Sequence, residues 1–272
     1  RPEGEKAVLI SRNLRFALYQ GLKLYPKAKS FILLEDDLLV APDFYSFMKQ
    51  MEPIFEMDKT VMCVSAFNHL SYPHTSSDPS LTYRVQSYPA YGWMMPRYII
   101  EEILPKWMPS NFSHDWDYFI GSKFVQRDRD CIVPDINRSY HWSTKGFHLT
   151  ASYASEILFL SRTMNSDPKV KLYPLDRLIK KNYEMEFENL LRNSTAVTFK
   201  ERSDLDRVVS PGKSYVVFVQ KKNDSDDSSF RLFGEVSYIT ITTTTTTTTK
   251  ISTNTYNQLT ALWCLLLRTD SF

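Results

Sequence analysis

Cysteine is scarce in this 272-residue chain, which carries three: Cys63, Cys131 and Cys264. None stands in a CxxC or a Cys/His spacing, so a metal site built on sulfur is not expected. Long apolar runs are missing as well. No stretch approaches the roughly 18 consecutive apolar residues of a membrane-crossing helix. Excess charge of one sign is equally lacking: 33 basic residues stand against 31 acidic ones, a net charge of +2. With no basic stripe along the chain, a nucleic-acid partner is not expected. The opening residues, "RPEGEKAVLISRN", have neither an initiator Met nor a signal-peptide pattern. They read as the middle of a longer protein, with any membrane anchor lying upstream.

What is present describes an ordinary globular chain, 43% hydrophobic and 24% charged, long enough to bury a substantial core. Leu14, Ala17, Leu18, Gly21 and Leu22 fall near helical spacing within residues 6–25, and Pro26 ends that run. "SFILL" (30–34) reads as a short buried strand, and "PDFYSFMKQMEPIF" as a helix with Pro42 in its first turn. "TVMCVSAF" (60–67) and "DCIVPDI" (130–136) are further apolar strands. Helices are expected at 97–104 and 174–193. Helices alternating with strands point to an α/β fold. The Thr tract at 241–250 is of low complexity and need not adopt one structure. Sequons stand at Asn111, Asn137, Asn193 and Asn223, a number that suits a secretory protein.

The stretch "FILLEDDLLVAPDFYSF" (31–47) sets four apolar residues directly before Glu35, Asp36 and Asp37. A strand ending there delivers the acids to the carboxyl edge of a sheet, where open α/β sheets bind ligands. Adjacent carboxylates repel one another, and a divalent cation shared with a substrate diphosphate would relieve them. A solvated turn that starts a helix explains the same three residues, because acids favour helix N-termini.

The surrounding motifs favour the cation. "EDD" followed by "APDF", then "CVSAFN" (63–68), "DPSLTYRV" (78–85), "YGWMM" (91–95), "LPKW" (104–107), "DWDYF" (115–119), "CIVPDINRSYH" (131–141) and "VKLYPLDRLIKKNYEMEFENLL" (170–191) occur in order. Together they resemble the β-1,2-N-acetylglucosaminyltransferases that extend mannose, over roughly residues 6–236. "DPSLTYRV", "CIVPDINRSYHW" and "KNYEMEF" look closer to the protein O-mannose enzyme, and the EDD itself to the N-glycan enzyme.

The resemblance implies a GT-A fold, a Rossmann-like mixed sheet flanked by helices, here truncated at its N-terminal side. Residues 1–200 would be the partial catalytic domain, 201–239 the C-terminal region of the family fold, and 240–272 a disordered Thr-rich tail. It also implies inverting transfer of GlcNAc from UDP-GlcNAc to the 2-hydroxyl of mannose on a glycoprotein, in the Golgi lumen, below a single-pass anchor. Inversion needs a base within hydrogen-bond reach of the attacking hydroxyl. Asp117 matches that base, with Asp115 as its competitor, and Trp116 matches an aromatic of the sugar site. Asp37 matches the direct ligand of Mn²⁺, Glu35 the GlcNAc-hydroxyl contact and Asp36 the ribose contact. Tyr91, Gly92 and Trp93 fall on the sugar-binding loop. Cys63 and Cys131 match paired cysteines. Arg84 and Arg138 are read either as facing diphosphate or acceptor, or as surface ion pairs.

The chain departs from the family pattern at His69, at Gly121 and at Asn13. The strands that hold uracil and ribose in the family precede the metal motif by more than the 34 residues found here. A fragment that binds UDP poorly is the expectation, and a catalytically inactive glycan-binding relative is the alternative.

Overall fold

A computed structural model describes residues 3–73, 75–109, 115–142, 159–197, 213–220, 247–250 and 262–268. The chain divides into two compact units, Arg1–Pro73 with Ser77–Tyr183, and His74–Ser76 with Glu184–Phe272.

The first unit opens with helix α1 (Glu3–Leu24). Its inward residues Ala7, Ser11, Leu14, Leu18 and Leu22 recur every three or four positions, one face of a 3.6-residue helix. Ser11 accepts the indole N–H of Trp107 at 3.0 Å. Strand β1 (Ser30–Leu33) follows, then β2 (Leu38–Val40), α2 (Phe44–Met51), α3 (Ile54–Met57) and β3 (Val61–Ser65). Next come β4 (Thr82–Val85), β5 (Trp93–Pro96), α4 (Arg97–Ile103), α5 (Trp116–Ile120), α6 (Lys123–Gln126), β6 (Asp130–Pro134) and β7 (Ser139–His141).

Five strands form one sheet in the order β1-β5-β3-β6-β4. Only β3 and β6 pair in parallel, and the other three pairings are antiparallel, so the sheet is mixed. Every residue of β3 is buried, as a central strand covered on both faces requires. Trp93 and Met95 of β5 pack to one side with residues of α1, α4 and α5, while Met94 packs to the other with α2 and α3. The result is helix, sheet, helix, the expected mixed α/β architecture.

One expectation about this sheet needs correction. Residues 30–34 were expected to be a buried strand, yet β1 lies at the sheet edge and Ile32 is 37% exposed. An edge strand leaves one side of its ladder open, so its apolar residues are not all enclosed.

Cys63 and Cys131 are direct partners on β3 and β6, with Cα atoms 4.6 Å apart, and they are bonded as a disulfide. The expected pairing is present.

In the second unit, β8 (Thr195–Val197), β9 (Ser214–Gln220), β10 (Thr247–Lys250) and β11 (Leu262–Arg268) form a sheet ordered β10-β11-β9-β8. Helix α7 (Lys180–Arg192) runs across the boundary between the units. Its residues Phe187, Leu190 and Leu191 pack against Val216 of β9. Within residues 240–272, Thr247–Lys250 runs as β10, in keeping with the strand preference of β-branched Thr, and the apolar Leu262–Arg268 runs as β11.

Candidate active site

Three pieces of chain converge at one end of the large sheet. The turn after β1 supplies Glu35, Asp36 and Asp37. The connection from β4 to β5 supplies Tyr88, Tyr91 and Gly92. The start of α5 supplies Asp115, Trp116 and Asp117.

The acids sense one another. The carboxyl of Glu35 is pushed up to about 7, first by burial and then by the charges of Asp37, Asp117, Asp36 and Asp115. Tyr91 is raised by burial, then by Glu35, Asp117 and Asp37. Tyr88 is raised by burial, then by Glu35 and Asp117. The turn and the helix start therefore lie close enough for their charges to act on the same three groups, Glu35, Tyr88 and Tyr91. Such a cluster of like charges is tolerated where a ligand brings positive charge.

Asp37 is held from two sides. Strand β2 pairs with β7 over three residues, Leu38 facing His141, and the Asp37 carbonyl accepts the Trp142 N–H at 3.0 Å. The Nε2 of His141 lies 3.1 Å from Asp37 Oδ2. The other oxygen, Oδ1, is buried and has no hydrogen-bond partner among the described residues. A buried oxygen without a donor is costly unless something else satisfies it. A hard divalent cation such as Mn²⁺ or Mg²⁺ fits that oxygen. Among the described residues no group of three or more His, Cys, Asp or Glu could hold a metal by itself. A cation at Asp37 would need further ligands from a diphosphate and water.

Asp117 lies in the first turn of α5, exposed, with Oδ1 accepting the Tyr118 N–H at 2.6 Å. Its backbone carbonyl accepts the Gly121 N–H at 2.7 Å, and a side chain at Gly121 would bring its Cβ to 3.0 Å from that carbonyl. Asp36 is exposed beside Glu35 and is left open to a ligand.

The loop before β5 has an unusual backbone. Tyr91 and Gly92 both have positive φ, 70° and 80°. That region suits Gly, whereas a bulky residue such as Tyr adopts it only where the surroundings hold it. Ser139 of β7 donates to the Tyr91 carbonyl, and the Gly92 carbonyl accepts the Ala66 N–H at 2.7 Å. The ring of Tyr91 meets Phe67 at 5.0 Å, Phe159 at 5.1 Å and His141 at 5.9 Å, all edge-on. His69, a departure from the family pattern, meets Phe67 edge-on at 5.1 Å.

Several residues take places other than those expected. Trp93 is 1% exposed and Trp116 8%, and the two stack with centroids 6.1 Å apart. Both are core side chains, and the Trp93 ring also meets Tyr88 at 5.1 Å, edge to face. Their apolar area is worth more inside the sheet layer than at its rim. Arg84 and Arg138 are neither surface pairs nor open to a ligand. Arg84 bonds Asp58 and Asp130 under the sheet, and Arg138, fully buried, bonds Asp43 at 3.0 Å. Reading the residues alone missed His141 and Tyr88. The first was visible as the end of "CIVPDINRSYH", but its partner Asp37 lies on a strand of three residues, too short to leave a periodic signal.

A family model described as the GNT-I family matches residues 6–231 of this chain. The α-1,3-mannosyl-glycoprotein 2-β-N-acetylglucosaminyltransferase of Arabidopsis thaliana is 30% identical over 188 residues, covering 69% of this chain and 41% of that protein. The chain thus spans less than half the length of this curated relative.

Proposed function

Because this chain belongs to the GNT-I family, we propose that it forms part of a GT-A type glycosyltransferase that moves GlcNAc from UDP-GlcNAc to the 2-hydroxyl of a mannosyl glycoprotein. The observation that carries this reading is the buried Asp37 Oδ1 without a hydrogen-bond partner among the described residues, in a site where the charges of Asp37 and Asp117 both reach Glu35 and Tyr91. Single displacement with inversion requires a base on one side of the sugar and charge stabilisation at the leaving group on the other.

Asp117 is the base. Its exposed carboxylate at the start of α5 takes the proton from the attacking hydroxyl. Glu35, held partly neutral near pH 7, can donate to or accept from sugar hydroxyls, and Asp36 reaches the ribose. Asp37 Oδ1 would hold a divalent cation, which would supply charge neutralisation for the departing diphosphate. Tyr91 and Gly92 bring backbone close to the donor sugar.

The first acceptor to test is the α-1,3-mannosyl arm of an N-glycan, the substrate named for the Arabidopsis relative. O-linked mannose is the second, supported by the "DPSLTYRV" and "CIVPDINRSYHW" motifs. Work in the Golgi lumen, tethered by an anchor outside these residues, suits the disulfide. No helix among the described residues is long and apolar enough to cross a membrane.

The test is transfer from UDP-GlcNAc with Mn²⁺ to each mannosyl acceptor, using the chain in its longest natural form and its Asp117→Asn variant. Loss of a general base is worth about 10²–10⁴-fold in rate. Unchanged turnover by Asp117→Asn removes the assigned base. Mannosyl-glycan binding without any turnover by the unmutated protein points to a glycan-binding relative instead.

A further inference from the structure

Beyond the acids, one side chain contacts Asp37 directly and has no assigned part in the reaction. His141 is 8% exposed, and its Nε2 stands 3.1 Å from Asp37 Oδ2. The ring is clamped. It stacks on Phe159 with centroids 4.4 Å apart and 23° between planes, and the Tyr91 ring abuts it edge-on at 5.9 Å. Its backbone is fixed by the ladder in which Leu38 pairs with His141, and the next residue's N–H bonds the Asp37 carbonyl. Backbone and side chain therefore both tie Asp37 to β7.

We propose that His141 is a positioning residue for Asp37: its Nε2–H donates to Oδ2 and so turns Oδ1 toward the divalent cation of the donor site. The inference rests on the nucleotide-sugar reading above. One observation supports it directly. Of the two carboxylate oxygens, the one His141 does not hold is the one left buried without a hydrogen-bond partner among the described residues. A carboxylate free to rotate would exchange its oxygens, but one anchored through Oδ2 presents the same oxygen each time. Hydrogen bonds to ligating groups commonly act in this way, and losing one lowers metal affinity by about 10–100-fold.

The ring stacking gives the partner a further use. Since Phe159 and Tyr91 hold the imidazole plane, the donor direction of Nε2 is set by aromatic packing and needs no rearrangement when the cation arrives.

The test compares the protein in its longest natural form with its His141→Phe, His141→Gln and Asp37→Asn variants. Mn²⁺ is titrated in the presence of UDP, and free Mn²⁺ is read by its EPR signal. His141→Phe keeps a ring on Phe159 but removes the donor, and His141→Gln keeps an N–H donor. The expected result is an affinity about 10–100-fold weaker for His141→Phe at an unchanged metal-free melting temperature, with His141→Gln close to the unmutated protein. If His141→Phe binds Mn²⁺ as well as the unmutated chain while Asp37→Asn does not, the inference is wrong and the donor-site reading stands. If the unmutated chain binds no Mn²⁺ with UDP present, both fall together. An imidazole nitrogen coupling in pulsed EPR of bound Mn²⁺ would make His141 a direct ligand and overturn the positioning role. Should His141→Phe fail to fold, His141→Gln decides, and a loss as large as that of Asp37→Asn refutes the inference.

Discussion

The charge of Asp117 reaches the Glu35 carboxyl, although one residue begins a helix and the other follows a strand. The consequence is a carboxyl whose proton is held to about 7, first by burial and then by Asp37, Asp117 and the other nearby acids. A raised carboxyl favours the folded protein most while it stays neutral. That contribution is complete below about 4.5, the ordinary value, and is lost as pH rises through about 7. Metal-free protein should therefore lose thermal stability between pH 5 and pH 8 more steeply than Glu35→Gln, by less than a fully buried group would contribute because Glu35 keeps exposed surface. Melting curves across that range decide it, and parallel profiles would show that Glu35 ionises normally.

Arg138 offers a test of the framework under the site. The guanidinium is fully buried, bonds Asp43 at 3.0 Å and the Ile136 carbonyl at 2.6 Å, and also reaches the Pro79 carbonyl. Removing one member of a buried pair strands the other charge and costs about 3–5 kcal/mol. Arg138→Met should lose that much in urea unfolding. Arg138→Lys should recover only a small part, because one ammonium cannot reproduce three divergent N–H contacts.

Gly92 is the tightest point of the loop that faces the acids. At φ 80°, a Cβ there would sit 3.3 Å from Ser139 Cβ, 3.4 Å from Leu34 Cδ2 and 3.5 Å from the Phe44 ring. Gly92→Ala should cost at least about 1 kcal/mol and move the Tyr91 backbone. Calorimetry would register the loss, and a raised KM for the nucleotide sugar would mark the displaced loop. An unaltered melt would mean that β7 yields without strain.

The sequons separate by burial. Asn137 is fully buried and its Oδ1 accepts the Asn68 N–H at 2.6 Å, whereas Asn193 is exposed at the end of α7. Those at Asn111 and Asn223 lie outside the described residues. Protein made through a secretory route should carry glycan at Asn193 and none at Asn137. Glycopeptide mass spectrometry would reveal any exception, and an occupied Asn137 would contradict the packing around Asn68.

Legibility followed length and periodicity. Helix α1, with its 22 residues, and the unbroken apolar strands β3 and β6 were visible as patterns before any coordinates. So was the joining of acids to a strand end. What stayed hidden depended on partners distant in sequence. The ribbon of β2 with β7 is three residues wide, and nothing in "LLV" or "SYH" announces it. The stacking of Trp93 on Trp116 joins two rings more than twenty residues apart, which no local pattern announces. Arg84 and Arg138 read either as ligand contacts or as surface ion pairs, yet each serves a buried carboxylate. Charge alone does not say whether its counter-ion is a substrate or the protein.

The covalent link between Cys63 and Cys131 has a practical bearing on how this protein is produced. It staples the one parallel pair among the described strands of the large sheet, the pair whose neighbours β4 and β5 lead into and out of the Tyr91 loop. Material made in a reducing cytosol would carry two thiols in its place and a less constrained unfolded chain. Activities measured on preparations from oxidising and reducing hosts would then describe different molecules, and agreement between them should be sought only after the thiols have been counted.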